Sequence, residues 1–198
     1  MNYVHGIALP KDVLSAKVDI LLNMLKFDNN TYEHSLNVAK YSERLNKLLC
    51  TGIDSSIMYY SGLFHDIGKL KINLDILNKE SSLKDEEFDI IKKHTNIGYS
   101  IMKKYSMPKE LQYSAFYHHE RWDGKGYPVK LKGDKIPLVA RIISVCDVYD
   151  ALTSDRPYRK AFTMEEAVSM MKNSNGQFDQ EIFKIFINNL DSIIDTPL

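Results

Sequence analysis

The sequence predicts an all-α fold, a compact single-domain bundle of helices. Apolar residues recur at three- and four-residue steps from end to end, while strand-like alternation is scarce. No repeat or low-complexity tract interrupts that pattern. A chain of 198 residues, 44% hydrophobic and 26% charged, closes one sizeable core and has no surplus for a second comparable one.

A first helix starts at Pro10, which suits an opening turn. It carries Leu14, Val18, Leu21, Leu22 and Leu25 on one face and stops at Asp28-Asn29-Asn30. Thr31 is placed to cap the next, which continues to Gly52. Asp54 caps a third helix that ends near His65, buries Ile57, Tyr60, Leu63, Phe64 and Ile67, and is closed by Gly68. An irregular stretch from Asn73 to Ser82 follows. Asp85-Glu86-Glu87 suit the positive end of a helix dipole and open a long helix to about Tyr105. Pro108 starts another, ending at His118-His119. From Glu120 to Ile136 the pattern breaks, with Gly124, Gly126, Gly133 and Pro128 crowded together; a loop this long inside one domain is more often functional than idle. Pro137 begins an apolar helix through about Thr153. Helices near Met164 to Lys172 and Asp179 to Ile193 complete the bundle as structural cover.

The 26 basic and 26 acidic residues cancel, so nothing in the balance points to long nucleic acid held by counterion release. A small anionic ligand needs only local positive charge. Cys50 and Cys146 lie far apart and form no C-x-x-C, so they read as reduced thiols rather than a disulfide or thiolate zinc site. No basic region followed by an apolar stretch opens the chain, and no run of about 18 apolar residues occurs. A cytoplasmic protein without a membrane segment is expected; protein partners are not legible.

The histidines fall on inward faces. His34 lies in register with Val38, Tyr41, Leu45 and Leu48, and His94 with Ile90, Ile97 and Ile101. Asp147 shares a stripe with Val139 and Ile143, with Asp150 one turn further on. Buried imidazoles and carboxylates must be hydrogen-bonded, ion-paired or bound to metal. Taken singly, each histidine reads as an ordinary core or surface residue. Together with the adjacent pairs His65-Asp66 and His118-His119 at helix ends, they let five helices supply one centre. Seven imidazole and carboxylate groups exceed what one tetrahedral zinc takes but suit two ions of about six-coordinate geometry. Imidazole-rich ligation favours iron or manganese, with zinc, cobalt or nickel as alternatives, over magnesium or calcium.

The stretch His65-Asp66-Ile67-Gly68-Lys69 resembles the H-D-x-G-K signature of the HD-GYP proteins, a branch of the HD metal-dependent phosphohydrolases. Further matches are Ile76-Leu77-Asn78-Lys79, the run from His118-His119-Glu120 to Gly126-Tyr127-Pro128, Asp147-Val148-Tyr149-Asp150-Ala151, and Arg156-Pro157-Tyr158-Arg159. The resemblance spans about residues 31 to 190, with residues 1 to 30 as an N-terminal helix. It implies an HD-type helical domain whose first metal takes His34, His65, Asp66 and Asp147. The second takes His94, His118 and His119 and shares Asp66 as a bridge. Two ions about 3.5–4 Å apart would acidify a bridging water and align it with phosphorus. Lys69 would add fixed positive charge to a phosphate oxygen. Arg156 matches the family's phosphate-binding arginine and Arg159 a basic position beside it. Asp150 is assigned to the substrate site, positioning a water or Lys69, with a structural pairing to Arg156 as its other reading. Tyr127 stacks on the ligand or braces its loop.

Three positions depart from the family pattern. Relatives with a third metal carry a glutamate where this chain has Asn30, so two metals are expected. Lys130 replaces a glycine common after Gly-Tyr-Pro, and Asn73 a residue often glycine or proline. The implied reaction is hydrolysis of cyclic di-GMP to pGpG, and onward to GMP as a further possibility. The competing readings are a cyclic dinucleotide sensor that does not turn its ligand over and an HD phosphohydrolase acting on another nucleotide.

Overall fold

The computed structural model describes residues 2–4, 7–9, 11–26, 28–77, 79, 81–155 and 159–194. It opens on a short antiparallel hairpin, β1 (Asn2–Val4) and β2 (Ile7–Leu9), with Tyr3 opposite Ala8. Runs of three residues are too short to register as alternation, and the hairpin escapes the sequence pattern. In α1 (Lys11–Leu25), Val18, Leu21 and Leu25 are buried as expected, whereas Pro10 lies outside the described residues.

Asp28, not Thr31, takes the N-cap position of α2 (Asn29–Leu49); Thr31 sits in the first turn and donates its hydroxyl to the Asp28 carboxylate. The helix stops short of Gly52 because Cys50 turns left-handed at φ 48°. Leu48, expected on the inward stripe, is 43% exposed in the last turn. Asp54 caps α3 (Ser55–Leu63) by accepting the N–H groups of Ser56 and Ile57 at 2.9 and 3.1 Å. The chain then tightens into a 3₁₀ turn over Ile67–Lys71, followed by the single turn α4 (Leu74–Leu77).

The long helix expected from residue 85 is two, α5 (Asp85–Lys92) and α6 (His94–Lys104). At the break two side chains compete for backbone carbonyls: His94 Nδ1 donates to Ile91 O and the Thr95 hydroxyl to Lys92 O. The buried face of α6 is His94, Thr95, Gly98 and Met102, while Ile97 and Ile101 are half-buried. After α7 (Lys109–Tyr117) a long loop leads to α8 (Leu138–Thr153). The helices α9 (Met164–Asn173), α10 (Gln180–Asn188) and α11 (Leu190–Ile194) close the bundle, the last expected helix being divided at Asn189.

Two apolar clusters flank α2. Val38 and Leu45 pack with Ile142, Ile143 and Cys146 of α8 and with Phe183 and Phe186; the adjacent Ala39 joins Leu21, Leu63, Phe64, Met102 and Leu111 on the other side. A Cβ at Gly62 would lie 2.7 Å from Ala39 Cα, so α2 and α3 meet backbone to backbone. His34, on α2, therefore stands where both halves of the bundle meet. No helix among the described residues is long and apolar enough to cross a membrane.

Candidate metal centre

Seven side chains from five elements converge into two clusters: His34, His65 and Asp147, and Asp66, His94, His118 and His119. Asp66 faces both. Its Oδ2 lies 3.3 Å from His65 Nε2 and 3.8 Å from His34 Nε2, and its Oδ1 lies 3.3 Å from His94 Nε2 and 3.7 Å from His118 Nε2. Asp147 Oδ1 stands 3.0 Å from His34 Nε2 and 3.8 Å from His65 Nε2. Six of the seven are buried; His119 is partly buried.

The hydrogen bonds decide what these rings offer. Nδ1 of His65, His94 and His118 lies 2.6, 2.7 and 2.8 Å from the carbonyls of Gly62, Ile91 and Ser114, and a carbonyl only accepts. Each Nδ1 therefore carries a proton, and each Nε2 is the ring atom turned inward, the one a cation would take. His34 Nδ1 donates likewise to Asp150 Oδ2 at 2.6 Å. The Nε2 atoms of His94 and His118 face one another at 3.3 Å, and buried His65 Nε2 and Asp66 Oδ1 make no hydrogen bond. Inward acceptors that cannot satisfy each other fit a cation, and the donor set of imidazole and carboxylate suits divalent transition metals.

The two clusters differ electrostatically. Burial opposes charge on His65, but Asp66 and Asp147 outweigh it and carry its pKa up to about 10, so a cation at its Nε2 would displace a proton. On the other side burial pulls His94 down to about 3 and holds His119 well below the usual histidine range. Burial works against ionised Asp66 and Asp147 too, yet Lys69 and His65 around the first, and His34 and His65 around the second, keep both carboxyls well below their ordinary value.

A groove of about 680 Å³ opens beside the centre, lined among others by Asn30, His34, Asn37, Lys69, Lys79 and Phe88. That volume suits a small-molecule ligand. The Lys69 ammonium bonds Asp66 at the groove wall. Tyr127 stacks on His119 with ring centres 4.7 Å apart at 28°, and meets Phe88 edge-on at 6.4 Å. Asn30 lines the groove from the first turn of α2.

Two residues expected at the substrate site have protein partners of their own. Asp150, 1% exposed, gives its oxygens to His34 Nδ1 and to Asn37 Nδ2, the latter at 2.9 Å. It orients the His34 ring, while the Lys69 ammonium is taken by Asp66. Arg159 donates to the carbonyls of Ala151, Leu152 and Lys160 at 2.7, 3.1 and 2.8 Å and lies over the Phe162 ring at 4.3 Å. Its fork closes the C-terminal end of α8. Arg156 lies outside the described residues. Phe88, 43% exposed at the groove, was not anticipated, because an apolar residue on a short amphipathic helix reads as core.

A family model described as HD domain matches residues 10–182. A cyclic di-GMP phosphodiesterase of Pseudomonas aeruginosa is 37% identical over 187 residues, covering 89% of this chain and 45% of that protein. A 3′3′-cGAMP-specific phosphodiesterase of Vibrio cholerae is 36% identical, covering 80% and 38%. The chain thus spans less than half the length of these relatives. Among solved structures, an HD-GYP-type protein of Bdellovibrio bacteriovorus superposes with a TM-score of 0.68 over 90% of this chain and 62% of its own, at 17% identity. The HD domain of a Listeria monocytogenes phosphodiesterase, solved with cyclic di-AMP, gives 0.60 over 90% and 99%, at 20% identity. With its clustered histidines and aspartates and its Gly-Tyr-Pro loop, the chain belongs to the HD domain family, in the HD-GYP branch.

Proposed function

We propose that this chain hydrolyses a cyclic dinucleotide, cyclic di-GMP first, to the linear pGpG. The observation that carries the reading is Asp66, whose two oxygens face separate ligand clusters. His34, His65 and Asp147 would hold one divalent ion and His94, His118 and His119 the other, with Asp66 shared. Iron or manganese fits the donors best, with zinc, cobalt or nickel as alternatives. When bound, the pair supplies Lewis acidity to the phosphate and acidifies water at neutral pH.

The protein groups do the rest. Lys69, at the groove wall beside Asp66, sets a positive charge where nonbridging phosphate oxygens gain negative charge as the ester is attacked. Asp150 holds the His34 ring in one orientation. Phe88 offers an exposed face to a purine, and Tyr127 covers His119. The relatives named for cyclic di-GMP and 3′3′-cGAMP support a cyclic dinucleotide as the substrate class.

The test is a panel of cyclic di-GMP, 3′3′-cGAMP, cyclic di-AMP and p-nitrophenyl phosphate. Protein loaded anaerobically with iron or manganese is assayed by chromatography of the products. Linear pGpG from cyclic di-GMP is expected. Binding without turnover would make the chain a sensor, and cleavage of the monoester alone would make it a general phosphohydrolase.

A further inference from the structure

Glu120 follows the paired histidines and is 2% exposed, yet belongs to neither ligand cluster. Its carboxylate accepts three successive backbone N–H groups instead: Val129 and Lys130 at 2.7 and 3.0 Å on Oε1, and Leu131 at 2.9 Å on Oε2. Consecutive N–H groups converging on one anion form a nest, which uses a left-handed residue, and Lys130 has φ 63°. Glu120 fills that nest and ties the far limb of the loop to the end of α7.

What lies between the two limbs is packed hard against the ligands. A Cβ on Gly126 would come within 2.4 Å of Arg121 N and 2.5 Å of His119 O. Tyr127 N donates to His119 O at 3.2 Å, and the Tyr127 ring stacks on the His119 imidazole. A path of direct contacts therefore runs from the Glu120 carboxylate through the nest and Tyr127 to His119.

We propose that Glu120 is a positioning residue for the cluster of Asp66, His94, His118 and His119: by holding the loop it keeps Tyr127 stacked on His119 and fixes that ring for its ligand. The inference rests on reading this cluster as a metal site and is independent of which substrate is cleaved. Exchange to glutamine keeps the size but removes the charge and turns an NH₂ toward the N–H donors of the nest.

The experiment titrates the full chain with Mn²⁺ by calorimetry and follows acrylamide quenching of Trp122. This single tryptophan of the chain lies in the same loop, its carbonyl accepting from Gly133 N at 3.0 Å. Glu120→Gln should weaken Mn²⁺ about 10- to 100-fold at one site, leave the other unchanged, and make Trp122 easier to quench. Tyr127→Leu, which spares the nest, should give the same one-site loss and keeps the test open if Glu120→Gln does not fold. Wild-type Mn²⁺ affinity in both variants overturns the assignment, as does a fall in thermal stability alone, which would make Glu120 a brace of the fold. No readout uses a nucleotide. One-site loss in a protein inactive on every cyclic dinucleotide would leave the inference standing and remove the proposed function.

Discussion

At the scale of single residues, the structure separates groups that face the proposed centre from groups that hold its ligands. Asp150→Asn keeps the shape of a buried partner of His34 but removes its charge, and should weaken Mn²⁺ about 10- to 100-fold by calorimetry. If Mn²⁺ affinity holds and cyclic dinucleotide affinity falls, Asp150 touches substrate after all. Arg159→Ala should cost about 1–3 kcal/mol in chemical denaturation, because charged donors leave the α8 carbonyls. Nucleotide affinity should stay unchanged if that is its whole role; a tenfold loss would place Arg159 in the substrate site. Lys130 occupies left-handed backbone that costs a side-chain residue about 1–2 kcal/mol, partly offset by the entropy glycine loses on folding. Lys130→Gly should therefore stabilise by roughly 0.5–1 kcal/mol; lower stability in urea would mean that the lysine side chain contributes packing of its own.

At the scale of elements, the 3₁₀ turn after α3 presses on the first turn of α6. A Cβ at Gly68 would lie 1.9 Å from His94 O and 2.7 Å from Gly98 N. Gly68→Ala must push the turn bearing Asp66 away from His94, at a cost of about 1–3 kcal/mol and with weaker Mn²⁺ binding. Unchanged thermal midpoint and metal affinity would mean that the contact yields freely. This contact also marks what the sequence could and could not convey. His34, His94 and Asp147 were legible as inward polar groups because helical period alone sets their face, and α3, α7 and α8 were legible from their caps and prolines. The break between α5 and α6 was not, since it depends on which carbonyls His94 and Thr95 take. The partners of Glu120, Asp150 and Arg159 were hidden for the same reason. Each side chain satisfies groups that are near only after folding, Glu120 as far as eleven residues on and Asp150 on a helix 116 residues earlier.

At the scale of the whole molecule, the candidate centre joins α2, the ends of α3 and α7, α6 and α8, which otherwise belong to two apolar clusters on either side of α2. A cation that binds this arrangement and not the unfolded chain stabilises all five elements together. With free metal at 100 times its dissociation constant the gain is about 2.7 kcal/mol per site. For a chain of this length that corresponds to a rise of roughly 5–11 °C in the thermal midpoint for one ion, lost again on chelation. Variants then report how the two clusters are coupled. His34→Ala removes a donor from one cluster only and should leave the gain of the other. Asp66→Asn alters the one group that faces both, so it should abolish most of the rise for both ions, although it changes a single side chain. Part of its effect falls on the metal-free protein, because buried Asp66 also pairs with Lys69. The quantity to compare is therefore the difference between loaded and chelated midpoints within each variant. A loaded-minus-chelated rise in Asp66→Asn as large as in the unaltered chain would mean that the clusters bind metal independently, and the shared carboxylate would have to be given up.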